Sequence, residues 1–412
     1  MNKVTYRLGD VVNFYNGRAY LMPELQDKGK YRIIRVGNFS GKDEWFYSDM
    51  ELEESKYCEK GDLLYKWACN FGPEIWNGEK AIYHYHIWKL IVDSKKLDKK
   101  FLYYLLQFMT PYWLSSTNGS TMVHITKGII EDKCISIPKE LFEQEKISSL
   151  LSNIDSKIDN NNKIISELES MAKTIYDYWF LQFEFPNGDG KPYKSSGGKM
   201  AWNEELKREI PEGWSIKKLS DVVEVIDNRG KNPPTASSNT RFPIIDVATL
   251  RKRGRCISYI DIKNYVTEDV YQTWFRAGHP QKGDILFSTV GSLAETKLFY
   301  PNRCYDGVIA QNIVGFRNKD IYSYLYQMIN SEKKQIIGLK IGSVQPSLKV
   351  GHVLEHKFLY PNNNILNKYC DMLEPINGYI NKLNQENQEL TSLRDFLLPM
   401  LMNGQVTFKE EA

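Results

Sequence analysis

The feature that most constrains this 412-residue chain is that it repeats itself once, at a period of about half its length. "RLGDVVNFYNGR" from Arg7 is answered by "KLSDVVEVIDNR" from Lys218, and "EKGDLLYKWAC" from Glu59 by "QKGDILFSTVG" from Gln281. "DKKFLYYLLQF" from Asp98 is answered by "KDIYSYLYQMI" from Lys319, and "CISIP" ending at Pro138 by "KFLYP" ending at Pro361. The offset holds at roughly 211 to 223 residues, far too long for a solenoid repeat unit. Two copies of one globular module are expected, which also suits a chain too long for one core.

Each copy leads into a helix. In the first, Ile147, Leu151, Ile154, Ile158, Asn161, Ile165, Leu168, Ala172 and Ile175 alternate at steps of four and three. In the second, Tyr369, Leu373, Ile376, Ile380, Leu383, Asn387, Leu390, Arg394 and Leu397 do the same. An apolar repeat of 3.5 residues is a coiled-coil seam, and the polar Asn161 and Asn387 are positions that can fix register at a cost in stability. The first helix would span roughly 50 Å at 1.5 Å per residue. Antiparallel pairing, with a globular domain at each end, is expected; a helix packed only on its own domain is the alternative.

Short β-rich runs, such as "YRIIRVGNF", "GDLLYKW", "FPIIDVATL" and "GDILFSTV", are bounded by turn residues. They give an α+β fold with functional loops. The expected boundaries are a first domain over 1–139, a long helix over 140–182, a linker over 183–211, a second domain over 212–361, and a C-terminal helix and tail over 362–412. The "HVLEH" run at 352–356 reads as part of a strand leading to "KFLYP".

The net charge of +3 hides an uneven spread. Counting Lys and Arg against Asp and Glu gives +3 for 1–139, −4 for 140–211, +7 for 212–360 and −3 for 361–412. Basic globular modules alternate with acidic helical blocks, so a polyanion is expected to meet the modules. No run of eighteen apolar residues, no apolar signal core and no Cys-x-x-Cys pair occur, which leads to the expectation of a cytoplasmic protein with reduced thiols.

A search for catalysis finds little. "NPPT" at 232–235 resembles the Asn-Pro-Pro-aromatic loop of amino-methyltransferases, but Thr235 stands where the aromatic belongs and no Phe-x-Gly-x-Gly loop accompanies it. "HVLEH" matches a zinc pattern by letters only, and no metal site is expected. Walker, dinucleotide and nucleophile-elbow motifs are absent from the sequence. Binding of duplex DNA, whose sites recur about every 34 Å, fits two heads on a stiff spacer. Base edges are read by Arg, Lys, Asn, Gln, Ser and Thr. The candidates in the first copy are Arg18, Lys66, Asn70, His84, His86, Asn118, Ser120, Thr121 and His124. Those in the second are Arg229, Lys231, Arg251, Lys252, Arg253, Arg255, Ser288, Thr289, Ser292, Lys297, Gln311, Asn312, Ser343 and Gln345. The run from Arg251 to Arg255 stands out, because four positive charges in five residues repel unless screened.

Four longer stretches carry a family resemblance. "IPKELFEQEKISSLLSNIDSKID", "YDYWFLQFEFPNGDGKPY", "EIPEGWSIKKLSDVVEVIDNRGKNPP" and the ending "LTSLRDFLLPMLMNGQV" resemble the specificity subunit of type I restriction-modification systems, over nearly the whole chain. The resemblance implies a subunit without catalytic activity, in which two target-recognition domains each read half of a split DNA site. It implies that the helices set the unread gap and dock two methyltransferase subunits, with motor-nuclease subunits completing the complex. S-adenosylmethionine, ATP and magnesium would then serve those partners and not this chain. The second helix opens with "NNNILNKYCDML" where the first has "LFEQEKISSLL", so the two docking surfaces need not be alike. Two other readings stand beside this one: a self-contained DNA methyltransferase with fused recognition domains, and a coiled-coil adaptor that binds only proteins.

Overall fold

The structure is a computed structural model that describes residues 2–40, 44–115, 126–260, 262–342 and 344–408. Contacts group the chain into two compact units, Met1–Ser156 with Thr391–Ala412, and Lys157–Leu390. Two long helices pass through both, α3 (Leu141–Tyr176) and α9 (Asn363–Asn403).

In the first unit, β1 (Lys3–Arg7) pairs antiparallel with β10 (Cys134–Pro138) beside the start of α3. A four-stranded antiparallel sheet has the order β2 (Val12–Asn16), β9 (Ile87–Val92), β6 (Leu63–Lys66), β7 (Gly72–Ile75). A second sheet runs β4 (Phe46–Ser48), β3 (Tyr31–Ile34), β8 (Ala81–Tyr83), β5 (Tyr57–Cys58), with β3 and β8 parallel. Helices α1 (Lys99–Ser115) and α2 (Lys127–Glu131) complete it.

The second unit repeats this plan. Strand β13 (Ser215–Lys218) pairs with β21 (Lys357–Tyr360). The order β14 (Glu224–Ile226), β20 (Ile313–Arg317), β17 (Ile285–Ser288), β18 (Thr296–Leu298) matches the first antiparallel sheet. The order β16 (Tyr265–Val266), β15 (Phe242–Ile245), β19 (Val308–Ile309) keeps the parallel pair, here β15 with β19. Helices α4 (Val247–Arg251), α5 (Glu268–Trp274), α6 (Tyr322–Ser331), α7 (Lys333–Gly338) and α8 (Val350–Leu354) fill the connections. The expectation of strand through "HVLEH" is corrected: its first four residues lie on α8 or at its end, and His356 contacts Glu332 through Nε2 at 2.5 Å.

Stretch 183–211, read from its Gly, Pro and Ser content as a linker, is ordered. After α3 a π-turn over Asp177–Leu181 seats Phe180, and Phe185 stacks on Trp214 with ring centroids 5.2 Å apart. A hairpin of β11 (Met200–Asn203) and β12 (Arg208–Pro211) follows.

Within each unit α3 and α9 run antiparallel. In the second, Ile165 and Ala172 share a core with Tyr369, Leu373, Ile380 and Leu383. In the first, Ile147 and Leu151 share one with Leu401 and Met402. Asn161, 1% exposed, donates through Nδ2 to Asn387 Oδ1 at 2.9 Å, and Asn387, 5% exposed, donates to Asn162 Oδ1 at 3.0 Å. The Asn161 amide therefore satisfies the Asn387 carbonyl directly, while the Asn387 amide is satisfied by the neighbouring Asn162. Ile154 is also buried, whereas Ile158, Leu168, Ile376 and Leu390 are half-buried. At Ile376 the seam differs from expectation: the neighbouring Asn377 is the fully buried residue, because it meets a side chain from outside the helix pair. Arg394 is not a seam filler either; its Nη1 donates to Asp155 Oδ1 at 2.9 Å. No helix among the described residues is long and apolar enough to cross a membrane.

Candidate nucleic-acid interface

In the first unit three of the candidates meet. The turn joining β8 to β9 holds His84, Tyr85 and His86, and Arg18 bridges to it: Arg18 N donates to Tyr83 O at 3.0 Å and Tyr85 N to Arg18 O at 3.0 Å. Trp67 closes the group, donating through N to His86 O at 3.1 Å and through Nε1 to Tyr85 O at 2.8 Å. The rings of Tyr85 and His86 lie 3.9 Å apart, and those of His84 and His86 4.8 Å apart. Burial, followed by the charges of His86 and Arg35, pulls the His84 imidazole down to about 4, so at neutral pH it is uncharged. Arg18 is held by a fork on Glu24 at 2.7 and 3.1 Å. Asn70 is exposed and donates to Ser40 Oγ at 3.0 Å. Lys66 is corrected: it is buried in an ion pair with Glu74 at 2.6 Å and cannot reach a groove. Asn118, Ser120, Thr121 and His124 lie outside the described residues.

In the second unit Arg229 and Lys231 are exposed and line a pocket of about 520 Å³ with Asp227, Thr273, Trp274 and Arg276. Asn228 fixes that geometry, donating to Gly278 O and accepting from Ala277 N, both at 2.8 Å. Arg229 forks onto Asp227 at 2.6 and 2.8 Å, and this hydrogen bonding holds the Asp227 carboxyl below its ordinary value. Arg276 and Trp274 are absent from the sequence-derived candidates; a cation and an indole two residues apart in "TWFRAG" were the available signal. Three cations around one carboxylate leave a site suited to phosphate oxygens.

Thr289 braces the loops that carry the other candidates. Its N and Oγ1 donate to Asn312 O at 2.9 and 3.1 Å, and its carbonyl accepts from Leu348 N at 2.8 Å. Ser288 Oγ donates to Ser292 O. Both Ser288 and Thr289 are buried, so their expected role as direct base contacts is corrected to support of the loops carrying Ser292, Gln311, Asn312 and Gln345. Ser292, Gln311 and Asn312 are half-buried and Gln345 is exposed. Ser343 lies outside the described residues.

The basic run divides. Arg251 and Arg253 are exposed. Lys252 is half-buried, its Nζ on Ile260 O. Arg255 and Lys297 are corrected: both are buried, with Lys297 Nζ donating to Lys252 O and Gly254 O. Neither can meet DNA.

Register aligns the two units residue by residue. Lys66 pairs with Ile87 as Ser288 pairs with Ile313, and Leu64 with Glu74 as Leu286 with Lys297. The turn of His84, Tyr85 and His86 therefore corresponds to Ala310, Gln311 and Asn312, and Trp67 to Thr289. The backbone bond from Trp67 N to His86 O recurs as Thr289 N to Asn312 O.

The model of the type I restriction modification DNA specificity domain matches residues 2–170 and again 211–392. The chain belongs to the type I restriction-modification DNA specificity family. Among relatives of this specificity family, the MjaIX specificity subunit of Methanocaldococcus jannaschii is 27% identical over 327 residues, covering 78% of this chain and 72% of that protein. The MjaVIII specificity subunit of the same organism is 24% identical and covers 97% of this chain and 98% of the relative. The crystal structure of a type I S subunit from M. genitalium superposes with a TM-score of 0.59 at 16% identity, covering 100% of this chain and 97% of that one, and so shares the fold.

Proposed function

We infer that this chain is the non-catalytic DNA-specificity subunit of a type I restriction-modification complex, each globular head reading one half of a bipartite site. The observation that carries the reading is the equivalent turn in the two units. One backbone frame presents His-Tyr-His in the first and Ala-Gln-Asn in the second. Gln and Asn match the two edge groups of adenine, while two imidazoles beside a tyrosine offer a different donor and acceptor set. Two heads of one fold with different recognition chemistry suit an asymmetric target. The paired helices serve as the spacer that sets the unread gap, and their acidic faces are left to two methyltransferase subunits, with motor-nuclease subunits joining for cleavage. S-adenosylmethionine, ATP and magnesium act in those partners.

Mapping methylated bases in cells that carry only this chain and its methyltransferase tests the reading. The expected result is one asymmetric two-part motif with a fixed gap. A contiguous motif, or methyl transfer by the chain alone, would refute it.

A further inference from the structure

The second unit contains a polar tie that has no counterpart among the described residues of the first unit. The interval from β15 to β17 is longer than that from β3 to β6, and the extra chain includes "RKRGRC". This run turns inward at Gly254, whose φ of +88° suits glycine. Beyond it Cys256 bridges to Leu298 at the edge of β18, and Leu298 N donates to Arg255 O at 2.7 Å. Lys297 on β18 fastens the turn from beneath through the carbonyls of Lys252 and Gly254.

Held in this way, Arg255 enters the helix pair with 4% of its surface exposed. Its backbone N–H donates to Glu169 Oε1 on α3, and its Nε lies 4.0 Å from the same oxygen. Its Nη1 donates to Asn377 Oδ1 on α9 at 2.6 Å. Asn377 in turn donates to Ser323 Oγ on α6 at 2.9 Å, and the guanidinium lies 5.4 Å from the centre of the Tyr326 ring. One residue therefore contacts both long helices and α6 of the head. The first unit is tied differently: Tyr104 on α1 donates to Asp155 Oδ2 at 2.6 Å, and the cation there, Arg394, comes from α9 itself.

The apolar contacts in the second unit hold head and helices together but are non-directional. A buried guanidinium is directional, because losing any acceptor leaves a charge without its partner in a dry place. The exposed Arg251 and Arg253 lie on the same short run, so the anchor that enters the helices also sets where these cations stand.

We propose that Arg255 is a positioning residue for recognition of the second half-site, fixing the angle at which the second head sits on the helix pair without touching DNA. The proposal rests on the specificity reading above. The whole chain carrying Arg255→Met is expressed with its methyltransferase, and methylated bases are mapped beside the wild type. The expected result is unchanged bases in the first half-site, with discrimination against gaps one base pair off, or against wrong bases in the second half-site, falling about tenfold, equivalent to about 1.4 kcal/mol. Arg255→Lys keeps charge but not the Nη1 bond to Asn377 and should behave like Arg255→Met, and Glu169→Gln, which keeps an acceptor for the backbone N–H but removes the carboxylate 4.0 Å from Nε, should relax discrimination in the same direction to a smaller extent. Asn377→Ala, which leaves the guanidinium in place, should relax discrimination in the same direction and serves if Arg255→Met fails to accumulate. A wild-type motif and gap in Arg255→Met and Asn377→Ala, with only a lowered melting temperature, overturns the proposal and leaves the specificity reading standing. Absence of any two-part motif in the wild type overturns both.

Discussion

The Asn161–Asn387 pair offers a sharp test of how the helix pair holds its register. Replacing Asn161 by Leu removes one neutral hydrogen bond, to Asn387 at 2.9 Å, and one to the Glu386 carboxylate at 2.8 Å. A neutral bond is worth about 1 kcal/mol net and one to a charged group about 1.5–3. The substitution also leaves Asn387 Oδ1 buried without its donor, at about 1–3 kcal/mol. Burial of the leucine returns about 1.5–3 kcal/mol. The single variant should therefore lose about 3 kcal/mol locally. In the Asn161→Leu, Asn387→Leu double variant no orphaned carbonyl remains, so the combined loss should be smaller than the sum of the singles by about 1–3 kcal/mol. Native-state hydrogen exchange of amides over 158–168 and 380–390 reads this locally, which avoids treating a two-unit chain as two-state. The double variant should also tolerate a wider range of half-site gaps in the methylation assay, because an all-apolar seam no longer marks one register. Additive losses in the cycle would refute the bond from Asn161 to Asn387; an unchanged gap would refute their role in register.

Two further outcomes are expected. Changing both Arg251 and Arg253 to Gln should weaken DNA binding by the assembled complex and reduce the slope of log K against log salt by roughly two, since each phosphate contact contributes about 0.9; anisotropy titrations across a salt series measure it, and an unchanged slope removes the pair from the interface. His84, uncharged in the fold down to about 4, should cost the first unit stability as pH falls below about 6.5, because the unfolded chain takes up the proton first. The loss should level off once the folded imidazole titrates. Allowing for its partial exposure, wild type should lose about 1 kcal/mol more than His84→Gln between neutral pH and pH about 4.5, and equal pH dependence of first-unit exchange protection in the two would contradict the buried, neutral imidazole.

The duplication, the paired helices and the two seam asparagines were all legible in the sequence, because period and spacing report local geometry directly. The fate of individual cations was not. "RKRGRC" reads as a polyanion patch by charge, yet two of its members face solvent and Arg255 is a core residue. The clue was local: Cys256 and Ile257 follow immediately, so the chain is already entering the interior at Arg255. Lys66 and Lys297 misled for the same reason, since their strand positions are buried and only the partners, Glu74 or backbone carbonyls, make a lysine tolerable there. At Ile376 the strict alternation from Tyr369 selects 376, although a step of four from Leu373 followed by three also reaches Ile380 through 377. Asn377 is buried because Arg255 needs an acceptor, and that partner is far away in the sequence. Arg276 escaped because its neighbours in space, Arg229 and Lys231, come from another segment.

The equivalent sheet positions suggest why the duplicated frame tolerates such different contents. In both units one main-chain bond closes the equivalent turn, Trp67 N to His86 O and Thr289 N to Asn312 O. That closing bond is made whichever side chains the turn carries. Inside the sheet the exchange is more constrained. Lys66 with Glu74 in one unit becomes Ser288 with Lys297 in the other, so a lysine stands in the carboxylate's place, and it is satisfied by carbonyls of the run that carries Arg255. The insertion thus answers a buried charge on one side and clasps the helix pair on the other. Side-chain content is free to diverge where the backbone closes its own hydrogen bonds, and it carries structural consequences where a side chain must close them.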